Sequence, residues 1–123
     1  MTQSIFEDQR KFMLVSGQDV DKYNENQYNL YYNLIQEEVQ ELTDAFNADD
    51  KVEVLDAILD IIVVATGMAY SAGFDIEGGW DEVIRSNMSK VDPETGKVLK
   101  RDDGKVLKPS SFSSPDLNPF IVR

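Results

Sequence analysis

Residues 37–60 read EEVQELTDAFNADDKVEVLDAILD, two helical patterns joined by a short polar turn, with carboxylates set among apolar residues. On the first pattern Glu38 falls inside the apolar arc formed by Tyr31, Leu34, Ile35, Leu42 and Ala45, and Glu41 lies on its edge. On the second, Asp60 interrupts the run from Ile58 to Ala65, which is otherwise apolar throughout. An ionised carboxylate taken out of water without a partner costs several kcal/mol, and several of them in one helix interface repel one another. The chain has no histidine and no cysteine, and its lysines and arginines lie mostly elsewhere. A divalent cation resolves the conflict, and oxygen-only ligands suit Mg²⁺, with Mn²⁺ as a substitute, rather than zinc or copper.

Spacing sharpens this reading. Glu38 and Glu41, three apart, share a helical face, and Glu37 approaches it obliquely. Glu53, Asp56 and Asp60 lie together on the next helix. A short turn demands antiparallel pairing, which lets the two acidic faces oppose each other. For Glu37, Glu53 and Asp56 a plain solvated face is the competing reading, a reading that fits Glu38 and Asp60 less well. Carboxylates on facing helices also occur in di-iron proteins, but those need Glu-x-x-His pairs, and this chain has no histidine.

A cation in a carboxylate cage suits phosphoryl chemistry, because it offsets phosphate charge and can lower the pKa of a bound water. Glu37 or Glu38 is placed to accept that water's proton. Further along, Arg85, Asn87 and Lys90 offer donors for phosphate oxygens, with ordinary surface as the alternative.

The elements that must position these groups follow from hydrophobic periodicity. At 123 residues the chain is expected to form one domain, with a helical core over about 4–90 and a hairpin or extended tail over about 91–123. The pattern predicts a first helix over 4–16 that places Ile5, Phe6, Phe12, Met13 and Val15 at helical intervals and ends at Gly17. Asp19 or Asp21 is the expected cap of the second helix, from Tyr23 to Phe46. Asp49 or Asp50 is expected to cap the third, about Lys51 to Ala72. That third helix is apolar nearly all round, which implies neighbours or a partner subunit on several sides. A fourth, capped at Asp75–Glu77 and reaching Met88, should bury Trp80, Val83 and Ile84. Beyond it, DPETG and DDG mark turns between Val98-Leu99 and Val106-Leu107, a small hairpin or extended loops. The tail carries Phe112, Leu117 and Phe120 for packing, and both an ordered and a frayed tail fit its composition. The fold class is therefore all-α: four to five helices with a short C-terminal hairpin or tail.

The formal net charge of −11 is uneven. Residues 1–84 carry 18 acids against 4 bases, and residues 85–123 carry 5 acids against 8 bases. An acidic body argues against nucleic-acid binding through phosphates, whereas the basic tail can meet a smaller anion. No charged-then-apolar leader opens the chain, and the run around residues 57–70 is too short to span a membrane and carries Asp60. A cytoplasmic protein with no membrane partner is the expectation.

These residues resemble a known family. Glu37-Glu38-Val39-Gln40-Glu41 is similar to the EExxE motif of the all-α NTP pyrophosphohydrolases, the MazG-like and phosphoribosyl-ATP-pyrophosphohydrolase-like superfamily. Asp60 followed by Gly73-Phe74-Asp75 has the spacing of that family's second acidic motif and its Gly-hydrophobic-Asp. The glutamate of its ExxD falls on Ala57, a departure, and Asp56 is the expected replacement. Arg85-Ser86-Asn87-Met88-Ser89-Lys90-Val91-Asp92 resembles the phosphoribosyl-ATP-pyrophosphohydrolase-like branch, met in bacteria and phages. The resemblance covers roughly residues 25–117. It implies a helical homodimer or homotetramer, oligomerising through the central helices, that hydrolyses a nucleoside triphosphate between its α and β phosphates with Mg²⁺. It further implies Glu38, Glu41, Asp56 and Asp60 as ligands, Glu37 as accessory ligand or base, and Asn87 and Lys90 at phosphate or base. The alternatives are phosphoribosyl-ATP or an alarmone as substrate, or a non-catalytic acidic module that binds cations or a basic partner.

Overall fold

The computed structural model describes residues 4–121. Four helices run in order, α1 (Ile5–Val15), α2 (Glu25–Asn47), α3 (Lys51–Ser71) and α4 (Ile76–Met88), followed by strands β1 (Val91–Asp92) and β2 (Lys97–Val98). The class is the all-α one expected, with the small hairpin in place. Two compact units form. One takes the chain up to Ile76, and the other spans Glu77–Phe120 with nearly all of α4, the hairpin and the tail.

In the first unit, α2 and α3 pair extensively and α1 lies against α3. Each start is capped by a side chain that satisfies an orphan backbone donor: Ser4 for Glu7 N–H, Asn24 for Gln27 N–H and Asp50 for Glu53 N–H. The cap of α2 differs from expectation. Asp19 instead accepts from the Asn24 amide at 2.9 Å, and Asp21 pairs with Arg10 at 2.7 Å. With both acids engaged, the helix starts at Glu25 and leaves Tyr23 in the loop. Asp50 rather than Asp49 caps α3, since Asp49 sits at φ 51° in the left-handed turn.

The core joins Phe6, Met13, Val20, Tyr31, Val64 and Tyr70, with Leu34, Ile35, Met68 and Ile76 against it. Met13 and Tyr70 are wholly buried, each worth about 2 kcal/mol of apolar transfer. Only part of α1's apolar pattern points inward: Phe6 and Met13 are buried, but Ile5, Phe12 and Val15 are exposed.

Along α2 the inward positions are Gln27, Tyr31, Leu34, Glu38, Leu42 and Ala45; along α3 they are Ala57, Asp60, Val64, Gly67 and Ser71. Steps of three and four make each set one seam. Contacts fix its register. The Gln27 amide donates to Ser71 Oγ at 2.8 Å and to the Asp19 carbonyl at 2.7 Å, while its oxygen accepts Asp19 N–H at 3.0 Å. One turn on, the Tyr31 ring lies on Gly67, and its hydroxyl donates to Gln18 at 2.6 Å. A β-carbon on Gly67 would run into that ring, which explains a glycine inside an otherwise apolar helix.

In the second unit, the β1–β2 hairpin pairs Val91 with Val98 and Asp92 with Lys97, and a bridge between Lys100 and Val106 closes the second turn. The tail is ordered against α4. Glu82 accepts from Arg85 at 2.7 and 2.9 Å and from Asp116 N–H at 2.8 Å; Arg85 also donates to the Ser114 carbonyl at 3.2 Å. These donors pull the Glu82 carboxyl down to about 2, Arg85 first and the Asp116 amide next. Leu117 and Phe120 approach Gly79. Trp80 was expected to be buried, but it is 52 % exposed, and Ile84 is also exposed, because the tail covers α4 at Gly79, Glu82 and Arg85 instead.

Replacing Gly67 with alanine should destabilise the protein by about 1–3 kcal/mol through overpacking against Tyr31. Thermal unfolding measures it, and an unchanged midpoint would show that the Tyr31–Gly67 contact is not closely packed.

Candidate metal centre

Two turns along α2 from Tyr31 stands Glu38, and two turns back along α3 from Gly67 stands Asp60. The contact that fixes the register at Tyr31 and Gly67 therefore brings two carboxylates face to face within the seam. Glu41, one turn beyond Glu38, completes the set. One oxygen from each of Glu38, Glu41 and Asp60 lies within 4.8 Å of the others. Glu38 and Asp60 are half-buried and Glu41 is exposed, so the trio opens to solvent on one side.

Among the described residues no lysine or arginine forms an ion pair with this trio. Glu38 Oε2 is buried and has no hydrogen-bond partner among the described residues. A buried oxygen left unsatisfied in a folded chain marks a missing partner. Desolvation raises the Glu38 carboxyl to about 7, and the carboxylates of Glu41, Asp60 and Asp56 add to the rise. Asp60 is raised as well, first by desolvation and then by the carboxylate of Asp56 one turn before it. A small divalent cation fits these groups. Its oxygen ligands at about 2.1 Å stand roughly 3–4 Å apart around it, within the span the trio provides.

The other predicted acids stand differently. Asp56 acts on Asp60 but lies outside the trio and is exposed; Ala57 beside it is buried. Glu37 and Glu53 are exposed on their helices and also outside the trio. In the second unit, Asn87 is exposed, and its side-chain oxygen accepts from Lys90 at 3.1 Å. Arg85 is exposed, with two of its nitrogens engaged by Glu82 and Ser114. Two residues that shape the site were not singled out from the sequence, Gly67 and Gln27. The sign of the first was a lone glycine in an apolar helix; the second had none short of the tertiary contact with Ser71.

In EDTA, stability should fall as the pH rises from about 4.5 to about 7. The folded Glu38 holds its proton up to about 7, the unfolded one only to about 4.5, so protons leave on unfolding within that window. Chemical denaturation at stepped pH checks this. Glu38→Gln should flatten the window and stabilise the metal-free protein, and millimolar Mg²⁺ should raise the melting temperature of the parent chain alone. A parent chain indifferent to both pH and Mg²⁺ would remove the metal centre.

A family model described as phosphoribosyl-ATP pyrophosphohydrolase matches residues 10–87, which take in all of α2 and α3 and with them the acidic trio. A comparison with curated proteins returned no match. With well over half its length matched and its acids converging on the paired helices, the chain belongs to the phosphoribosyl-ATP pyrophosphohydrolase family, within the MazG-like all-α NTP pyrophosphohydrolase superfamily.

Proposed function

We propose that the protein is a Mg²⁺-dependent pyrophosphohydrolase of nucleoside triphosphates, cleaving between the α and β phosphates to give a monophosphate and pyrophosphate. Hydrolysis of a phosphoanhydride bond follows from the family; the triphosphate, the metal and the bond are our reading. One observation carries it: Glu38, one of whose oxygens is buried and unpartnered, brings a carboxylate oxygen within 4.8 Å of one from Glu41 and one from Asp60. The family's own description makes phosphoribosyl-ATP the second candidate substrate.

In this reading Glu38, Glu41 and Asp60 hold the cation, and Asp56 beside Asp60 stands in for the family acid that Ala57 lacks. Once bound, the ion offsets charge on the phosphates and makes a bound water more acidic. Glu37, exposed next to Glu38, accepts a proton from the attacking water. The water oxygen bonds to the α phosphorus while the bridge to the β phosphorus breaks, and pyrophosphate leaves with the bonding electrons. Asn87 and Lys90 donate to phosphate oxygens. Arg85, engaged by Glu82 and Ser114, serves by holding the tail.

The assembly belongs to the same proposal. α3 leaves Val52, Leu55, Ile58, Leu59, Ile62 and Val63 exposed, Val52 at 77 %, and Phe46 of α2 at 74 %. A contiguous apolar face of this kind marks an interaction surface, and we assign it to a second copy in a homodimer or homotetramer. Among the described residues no helix is long and apolar enough to cross a membrane. A cytoplasmic place of action, in a bacterium or a phage-infected host, fits a nucleotide substrate.

The test is pyrophosphate release from a panel of nucleotides and phosphoribosyl-ATP with Mg²⁺, Mn²⁺ or EDTA. Glu38→Gln and Asp60→Asn should each lower activity by roughly 100-fold with the fold intact. Activity retained in both variants would defeat the ligand assignment, and orthophosphate in place of pyrophosphate would defeat the choice of bond. Light scattering of an Ile62→Glu variant should give a monomer where the parent chain gives a dimer or tetramer; equal masses would move the interface elsewhere.

A further inference from the structure

In the second unit two lysines far apart in sequence meet on one aromatic ring. Lys90 Nζ stands 5.9 Å and Lys108 Nζ 4.9 Å from the centre of the Phe112 ring. The ring attracts each ammonium through its quadrupole, but it does not neutralise either, and the two repel. Neither lysine has a carboxylate partner among the described residues. Arg101 in the same unit shows the alternative: it is closed off by Asp103 at 2.6 Å.

The surroundings are built rather than loose. Ser89 donates to the Ser86 carbonyl at 2.6 Å and accepts Ser113 N–H at 2.9 Å, and Ser111 donates to the Ser89 carbonyl at 3.2 Å. These bonds pin the chain on both sides of Phe112 to the end of α4. Lys90 also donates to the Asn87 side-chain oxygen at 3.1 Å. That contact fixes the amide orientation, and the Asn87 NH₂ group has no acceptor among the described residues. The outcome is two ammoniums and one amide donor on a half-buried aromatic support, in the part of the chain where bases outnumber acids.

We propose that Lys90 and Lys108, gathered on the Phe112 ring, form with Asn87 a polyphosphate-binding site within this unit. Lys108 and Phe112 are the new members, supplied by the tail. The ammoniums cannot be further apart than the sum of their distances to the ring, a span that a pyrophosphate group bridges with one hydrogen bond at each end. The identity of the polyanion, and nothing else, rests on the nucleotide-hydrolysis reading above.

Calorimetric titration of the full chain with inorganic tripolyphosphate in EDTA tests the site without hydrolysis and without the metal centre. The parent chain should bind with a measurable heat. Lys108→Gln, an exposed change that leaves the fold alone, should weaken binding roughly tenfold. Phe112→Leu should weaken it too, and Lys97→Gln, which changes a lysine away from the ring, should not. Glu38→Gln should bind tripolyphosphate like the parent, so that failure of hydrolysis and failure of this site remain separate results. No binding by the parent, equal binding by Lys108→Gln, or an equal loss in Lys97→Gln would each overturn the proposal; the last would mean diffuse positive charge only.

Discussion

Acids in an apolar seam set the terms for the first unit. Two unit charges within 4.8 Å of each other repel by about 3 kcal/mol or more at an effective dielectric near 20, and Glu38 meets neighbouring carboxylates from more than one side. α2 and α3 nevertheless close on each other, because attraction elsewhere in the same seam outweighs the repulsion. Tyr31 lies against Gly67, and Gln27 ties the end of α3 to the loop before α2 through three hydrogen bonds. With the helices pinned there, the acids cannot move apart, and only a proton or a cation relieves them. Strain held at a site by packing elsewhere is a common mark of function.

The residues that report this in the sequence are the ones out of keeping with their surroundings. Glu38 inside an apolar arc and Asp60 inside an apolar run are legible from periodicity alone, and so are the four helices and the turn that makes α2 and α3 antiparallel. What periodicity lacks is the identity of the neighbour. Asp19, Asp21 and Asn24 are all competent caps within six residues of one another; the choice falls to Asn24 because Gln27 must face Ser71, 44 residues on. The face of α4 was not legible: Trp80 and Ile84 carry the apolar signal yet are exposed, because the tail covers Gly79 instead.

The second unit shows the same limit on a functional reading. Arg85 in a basic stretch has the chemistry of a phosphate ligand. In the fold its guanidinium is bidentate to Glu82 and reaches a carbonyl 29 residues away. Whether such a group meets a ligand or secures the chain depends on contacts between distant segments, and spacing along one helix carries no trace of them. Lys108 is the converse case: it has no local motif, and gains interest only when Phe112 brings it to Lys90.

The pairs that join α2 to α3 share one further property. Gln27 and Ser71, Tyr31 and Gly67, Glu38 and Asp60 are each equally far along the chain from Asp49, the left-handed residue of the turn. The hairpin thus behaves as a folded ruler with its zero at Asp49. Adding a residue on one side alone would put every mark out of step at once and set an apolar side chain against Glu38. Lengthening or shortening both arms by the same whole number of turns would keep every pair matched. Lineages carrying this seam can therefore move the acidic centre nearer to or further from the turn without altering its chemistry, provided that both arms change together.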